Sequence, residues 1–192
     1  MGQIIEVIHR YEIPDLPEID LPDEDGEPLE SSWHRAQINL FIEILNYRWR
    51  ERNDFYAAGN MFIYYSFQQI RTGSYKGPDF FLVRGVDSGH LRPKWVVWEE
   101  DGRYPDVIVE LMSPVTRQED LGRKKTLYEQ TFRTRDYFCY DPETEEFFGW
   151  TLDKGSYLAL EPDENGRMWS GALEAWIGMW QGKYLLTIRP VV

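Results

Sequence analysis

The segment that most constrains the fold is Pro-Asp-Val-Ile-Val-Glu-Leu-Met at residues 105–112. Positions 107–112 are apolar on both alternating faces except at Glu110. A strand of this kind is expected at the centre of a sheet that helices cover on both sides. Burying a carboxylate there is costly unless a metal, a cation or hydrogen-bond donors compensate it. The segment therefore predicts a covered central strand in which Glu110 has a specific partner.

The flanking sequence predicts helices before and after this strand. Ser31 or Ser32 is placed to cap a first helix that runs to about residue 52, with apolar positions at helical spacing. Thr116 or Asp120 is placed to cap a second helix that reaches about Thr131. The four-residue spacing of two tryptophans near the C-terminus would also suit helix neighbours, Trp176 and Trp180.

Aromatic and β-branched residues predict further strands, and the alternation of helices and strands predicts an α/β domain with a mixed sheet. The strands are expected within 55–67 and at 80–83, 95–98, 137–140, 146–152 and 157–160. A turn is expected around Thr72–Tyr75. The chain of 192 residues is most simply one domain over 31–192. Residues 1–30 are rich in acidic residues and proline, which predicts an extended arm.

Charge and composition limit the partners of this chain. The formal net charge is −12, whereas proteins that grip nucleic acid unaided usually carry a basic face. No apolar run approaches the length of a membrane span, and the N-terminal residues lack a secretory pattern, so a cytoplasmic location is expected. The single cysteine, Cys139, fits a reducing compartment and is expected to be buried rather than reactive.

Two carboxylates and a lysine supply a candidate chemistry. Asp79 opens the strand at 80–83, and Glu110 lies in the central strand. If the two converge, their oxygens suit Mg²⁺, and Lys124 on the following helix could stabilise developing negative charge. The plainer alternatives are that Asp79 only begins a strand and that Asp120 and Lys124 form an exposed helix pair. No histidine pair has the spacing of a zinc site.

Several blocks of the sequence resemble the Uma-two family of predicted restriction endonucleases, which have the PD-(D/E)XK nuclease fold. The blocks are GPDFFLV, WVVWEEDGRYPDVIVELMSP, DLGRKKTLYEQ and RDYFCYDPETEEFFGW. The resemblance extends from about residue 30 to 160 and implies a restriction-endonuclease-like mixed sheet flanked by helices. It implies that Asp79 is the motif aspartate and Glu110 the second acid. The superfamily lysine would fall at Met112, so the resemblance points instead to Lys124, with Lys125 as the weaker choice.

This resemblance implies a Mg²⁺-dependent endonuclease that hydrolyses DNA, with Mn²⁺ as an alternative ion. Asp79, Glu110 and the carbonyl of Leu111 would hold the metal, and Lys124 would act in catalysis. Nucleases of this fold often pair to cut both strands, so a homodimer or higher homo-oligomer is expected. An additional acid on the first helix is common in the superfamily, which makes Glu30 and Glu43 candidates.

Two other functions fit parts of the sequence. A catalytically inactive nuclease-fold module acting in protein binding or assembly would suit the negative charge, the acidic arm and an exposed subset of the eight tryptophans. A glycosidase with Asp79 and Glu110 as acid and base leaves Lys124 unexplained. His34 is expected to be a solvated or capping residue.

Overall fold

The structure is a computed structural model that describes residues 31–72, 77–180 and 184–188. Its helices are α1 (Ser32–Arg48), α2 (Phe67–Thr72) and a third helical segment, α3, over 117–132. Its strands are β1 (Phe55–Ala58), β2 (Ile63–Tyr64), β3 (Phe80–Arg84), β4 (Trp95–Val96), β5 (Val107–Leu111), β6 (Asp136–Tyr140), β7 (Phe147–Asp153), β8 (Ser156–Ala159), β9 (Met168–Ser170), β10 (Ala175–Trp180) and β11 (Tyr184–Ile188). No helix in these ranges is both long and apolar enough to cross a bilayer.

The main sheet has six strands in the order β1-β3-β5-β6-β7-β8. Strand β5 is antiparallel to β3 and parallel to β6, and α3 makes the crossover between β5 and β6. The sheet is therefore mixed, because a parallel neighbour requires a crossover of this kind. The predicted α/β class with a mixed sheet flanked by helices is confirmed.

The two faces of β5 lie in different apolar clusters. Val107, Val109 and Leu111 face α1 and the inner side of β10. Ile108 and Met112 face α3 and the small parallel sheet of β2 and β4. Burial on both faces explains why this strand is apolar at almost every position, and it puts Glu110 on the α3 side because side chains alternate along a strand.

Helix α1 begins where the sequence predicts and ends earlier. The Ser31 hydroxyl accepts a hydrogen bond from the backbone N–H of His34 at 3.3 Å, so Ser31 is the N-cap. The helix ends at Arg48 rather than near residue 52. Its inward side includes the fully buried amide side chain of Gln37 beside Ile38, Phe41 and Leu45.

Segment α3 alternates between α-helical and π-helical turns. The turns are Arg117–Glu119 (α), Asp120–Lys124 (π), Lys125–Leu127 (α) and Tyr128–Phe132 (π). An α turn holds about 3.6 residues and a π turn holds more, because its hydrogen bonds reach one residue further. The alternation therefore moves the average towards four residues per turn, and side chains four positions apart line up on the inward side: Asp120, Lys124, Tyr128 and Phe132.

Some of the predicted elements are wrong. Within 55–67 the chain forms two short strands, as predicted, but Phe67 itself begins α2. At 95–98 only Trp95 and Val96 pair with another strand, because the chain turns over 97–102. Trp176 and Trp180 lie in strand β10, where Trp176 pairs with Trp169 of β9, so they are not helix neighbours.

Other predictions fall on residues that the structure does not describe. The predicted arm at 1–30 lies outside the described residues, and so does most of the expected turn at 72–75. The division into an arm and one domain over 31–192 stays a prediction.

The buried carboxylate of Asp136 joins the main sheet to β9 and the loop that follows it. Its Oδ1 accepts a hydrogen bond from the Thr151 hydroxyl at 2.8 Å. Its Oδ2 accepts from the Ser170 hydroxyl at 2.6 Å and from the backbone N–H of Ala172 at 2.9 Å. Three donors satisfy this carboxylate, which indicates a structural role.

Candidate active site

Asp79 and Glu110 occupy facing positions on neighbouring strands. The register pairs Phe80 of β3 with Val109 of β5, so the preceding Asp79 comes opposite Glu110. The Asp79 Oδ2 accepts a hydrogen bond from the backbone N–H of Leu111 at 2.6 Å, and the Asp79 N–H reaches Glu110 Oε2 at 3.5 Å. The two acids, 31 positions apart in sequence, therefore meet at the end of β5.

Gly59 allows the chain to approach Asp79 closely. A β-carbon at position 59 would lie 2.5 Å from the carbonyl oxygen of Asp79 and would collide with the side chain of Ile38. The N–H of Asn60 donates to the same carbonyl at 3.3 Å. A glycine is required here because the neighbouring backbone occupies the space of a side chain.

Glu110 is buried, and its two oxygens have different partners. The Tyr128 hydroxyl donates to Oε1 at 2.8 Å, and Lys124 Nζ donates to Oε2 at 3.0 Å. Only 1% of the residue is exposed. Both donors come from α3, so the helix that follows the strand supplies the partners that the buried carboxylate requires.

Lys124 contacts a second buried carboxylate as well. Its Nζ lies 2.8 Å from Asp120 Oδ1, and both carboxylate side chains are 1% exposed. The alternative of an exposed helix pair between Asp120 and Lys124 is therefore wrong. The inward alignment of α3 places one ammonium between two carboxylates inside the protein.

Burial and charge shift the pKa values of this cluster. Burial raises the pKa of Glu110, and the Lys124 charge and the Tyr128 hydroxyl oppose that rise. Burial lowers the pKa of Lys124, but Glu110 and Asp120 outweigh it and the net shift is upward. Burial and the Glu110 charge raise the pKa of Tyr128 well above its usual value. Lys124 is thus held as a cation and Tyr128 as a hydrogen-bond donor.

The carbonyl of Leu111, at the end of β5, contacts α1. His34 Nε2 lies 3.0 Å from this oxygen. Next to it is a cavity of about 470 Å³ whose lining includes Trp33, His34, Leu111, Met112 and Glu143. The sequence predicts a solvated or capping histidine at position 34, because nothing in it indicates a contact between residues 34 and 111.

The remaining sequence candidates lie elsewhere or outside the described residues. Glu43 is exposed on α1, about 13 Å along the helix axis from His34. Glu30 lies outside the described residues. Lys125 places its Nζ 4.2 Å from the ring centroid of Trp150, away from Glu110. Cys139 is buried, and burial raises its pKa well above the usual thiol value, which opposes thiolate chemistry.

The donor set suits a hard divalent cation. Within the described ranges no group of three or more His, Cys, Asp or Glu side chains is placed to hold a metal. Mg²⁺ commonly binds through one or two carboxylates and completes its shell with water and substrate oxygens. Asp79, Glu110 and the Leu111 carbonyl match that pattern. With Asp120 and Lys124 included, the ionised side chains carry a formal charge of minus two, which one such ion would balance.

The family of the chain follows from a comparison with models of known protein families. The model of the Uma2 (Uma-two) family, described as "Putative restriction endonuclease", matches residues 6–186. The chain belongs to the Uma2 family. This match includes the strands and helix that carry Asp79, Glu110 and Lys124, and it confirms the resemblance found in the sequence.

The Uma2 chain is also similar to a solved structure. This is a crystal structure of a "putative nuclease belonging to DUF820" from Anabaena variabilis ATCC 29413, with a TM-score of 0.54 and 14% sequence identity over 76% of each chain. At that identity the likeness concerns the fold alone. The comparison with curated proteins gives no match. Family and fold together support a nuclease function.

Proposed function

We propose that this Uma2 protein is a Mg²⁺-dependent endonuclease that hydrolyses DNA phosphodiester bonds. The observation that carries the proposal is the contact of Lys124 Nζ with Glu110 Oε2 at 3.0 Å. Met112, two residues after Glu110, occupies the position of the superfamily lysine and is fully buried. Lys124 of α3 thus brings an ammonium to the Glu110 carboxylate from the helix, whereas the superfamily lysine would come from position 112, directly after β5.

Asp79, Glu110 and the Leu111 carbonyl would hold the cation. When bound, Mg²⁺ lowers the pKa of a coordinated water and offsets negative charge on the phosphoryl group. Asp79 is oriented by the backbone N–H of Leu111, and Glu110 by the Tyr128 hydroxyl. Each carboxylate is therefore oriented by a hydrogen-bond donor from a neighbouring segment.

Lys124 would act on the attacking water or on the charge that develops in the transition state. Its raised pKa keeps the ammonium protonated at neutral pH. An ammonium buried beside a reacting phosphate is worth far more than one in water, because solvent does not screen it. Asp120 holds the same ammonium at 2.8 Å and would keep it in place when Glu110 is shared with a cation.

Plasmid cleavage tests the proposal. The wild-type protein is expected to nick or linearise supercoiled DNA with Mg²⁺ or Mn²⁺ and to be inactive with chelator. Glu110→Gln and Lys124→Met should each reduce the rate by about a hundredfold or more. Lys125→Met is the matched control, because it removes a neighbouring ammonium that does not contact Glu110. Cleavage that persists in both site variants would refute the assignment.

The non-catalytic module remains a second candidate because two arginines of α3 near the protein surface have acidic partners. Arg117 pairs with Glu146 at 2.9 Å, and Arg123 pairs with Glu119 at 2.7 Å. Such pairs offer less charge to a phosphate backbone. Calorimetric titration with Mn²⁺ separates the two functions. A nuclease should bind the ion and lose binding on Asp79→Asn, whereas a non-catalytic module should give no heat in either protein.

A further inference from the structure

His34 is anchored at both ring nitrogens. Its Nε2 lies 3.0 Å from the Leu111 carbonyl oxygen, and its Nδ1 lies 3.2 Å from the Ser31 hydroxyl. The ring also packs edge-on against Trp33, with 5.4 Å between centroids. These contacts fix the ring at the first turn of α1, whose N-cap is the same Ser31.

The partners determine which nitrogen carries the proton in the neutral ring. A carbonyl oxygen only accepts, so Nε2 must be the donor to Leu111. In the neutral imidazole Nδ1 is then an acceptor, and the Ser31 hydroxyl can donate to it. The geometry therefore selects the Nε2–H tautomer. Hydrogen-bond partners fix the tautomer and the ring orientation of metal-bound histidines in the same way.

The peptide groups on both sides of Leu111 are held at the site. The Leu111 N–H donates to Asp79 Oδ2 at 2.6 Å, and the Leu111 carbonyl accepts from His34 at 3.0 Å. A carbonyl oxygen has two lone pairs, so the bond to His34 leaves one available. The residue after Glu110 is thus tied to the first acid through its N–H and to α1 through its oxygen.

We propose that His34 is a positioning residue that fixes the Leu111 carbonyl as an oxygen donor to the divalent cation. The inference rests on the proposed function for the existence of the cation site. His34 does not contact the cation. It acts through the carbonyl, as partners in the outer shell of metal sites do, and loss of such a partner typically weakens metal binding by about 10–100-fold.

Calorimetric titration of Mn²⁺ into the metal-free full chain tests the proposal. His34→Ala should weaken binding by about tenfold or more, and His34→Gln should restore most of it because its amide nitrogen can donate from a similar distance. His90→Ala is the control, since His90 is an exposed histidine that pairs with Asp87. Circular dichroism melting of each variant separates loss of the site from loss of the fold.

NMR of the wild-type protein with nitrogen-labelled histidine measures the tautomer of His34 directly and needs no variant. The Nε2–H tautomer is expected for His34 at alkaline pH without metal. The Nδ1–H tautomer, or wild-type Mn²⁺ affinity in His34→Ala, would overturn the role of His34 while leaving the metal site intact. Absence of Mn²⁺ binding in the wild type would overturn the metal site and His34's role together. Binding that depends on His34 in a protein unable to cut DNA would support the role and refute the nuclease activity.

Discussion

Removing the Lys124 ammonium should destabilise the metal-free protein in a pH-dependent way. Lys124→Met leaves Glu110 and Asp120 without the cation that lies 3.0 and 2.8 Å from their oxygens, and both are 1% exposed. Breaking a buried ion pair by removing one partner typically costs about 3–5 kcal/mol. The methionine side chain fills most of the lysine's volume, so the loss reports on charge rather than on a cavity.

Protonation of Glu110 limits the size of this loss. Placing a proton on a glutamate of ordinary pKa, about 4.3, costs about 3.7 kcal/mol at pH 7 and about 1 kcal/mol at pH 5. Without Lys124 the burial that already raises the pKa of Glu110 is opposed only by the Tyr128 hydroxyl, so the folded variant takes up a proton that the unfolded chain does not hold. We therefore expect a loss of about 3–4 kcal/mol at neutral pH that shrinks towards about 1 kcal/mol near pH 5.

Urea unfolding with chelator, repeated at neutral and mildly acidic pH, measures this difference. For a chain of this size the neutral-pH loss corresponds to a fall in melting temperature of about 10 °C. Lys125→Met should lose only the cation–π contact with Trp150, about 0.5–1 kcal/mol, at both pH values. A Lys124→Met protein within 1 kcal/mol of wild type at neutral pH, or with a deficit that does not shrink on acidification, would refute the reasoning.

Two further substitutions test the packing of the site and of the fold by urea unfolding. Tyr128→Phe removes a buried hydrogen bond to Glu110 and should lower the free energy of unfolding by about 2 kcal/mol. Tyr157→Phe should change it little or raise it, because the buried Tyr157 hydroxyl has no hydrogen-bond partner in the described part of the chain; an equal loss in both variants would contradict the role of the Glu110 contact. Asp136→Asn should lose about 3 kcal/mol, since an amide nitrogen then faces one of three donors, and Thr151→Val should lose less, about 1 kcal/mol. A neutral Asp136→Asn would contradict the bridging role of that carboxylate.

The centre of the fold was predictable because its pattern is local. The apolar run around Glu110 predicts a strand covered on both faces, and the structure has β5 in that position. The strand at 80–83 and the helix after Thr116 were predicted as well, so the elements carrying Asp79, Glu110 and Lys124 are those expected. What brings Asp79 opposite Glu110 is the register of β3 against β5, which a single sequence does not encode locally.

The missed features depend on contacts between distant segments. Asp120 is buried at the start of a π turn of α3, and such turns have no sequence signature comparable to a helix cap. Trp176 and Trp180 share helical spacing yet lie in β10, because pairing with β9 and β11 overrides the local pattern. His34 reaches Leu111 across 77 positions of sequence, so its neighbour is a property of the packed fold.

The four-residue alignment of α3 makes this segment sensitive to length rather than to composition. A substitution at an outward position such as Arg123 or Thr126 leaves the inward row unchanged, because both side chains are exposed. The α turn Arg117–Glu119 has no extra residue to lose, so a one-residue deletion there would rotate every later side chain by about 100° around the helix axis. Lys124 and Tyr128 would then leave Glu110 together. In chains related to this one, insertions and deletions within the helix therefore bear more directly on the candidate site than the identity of its surface residues.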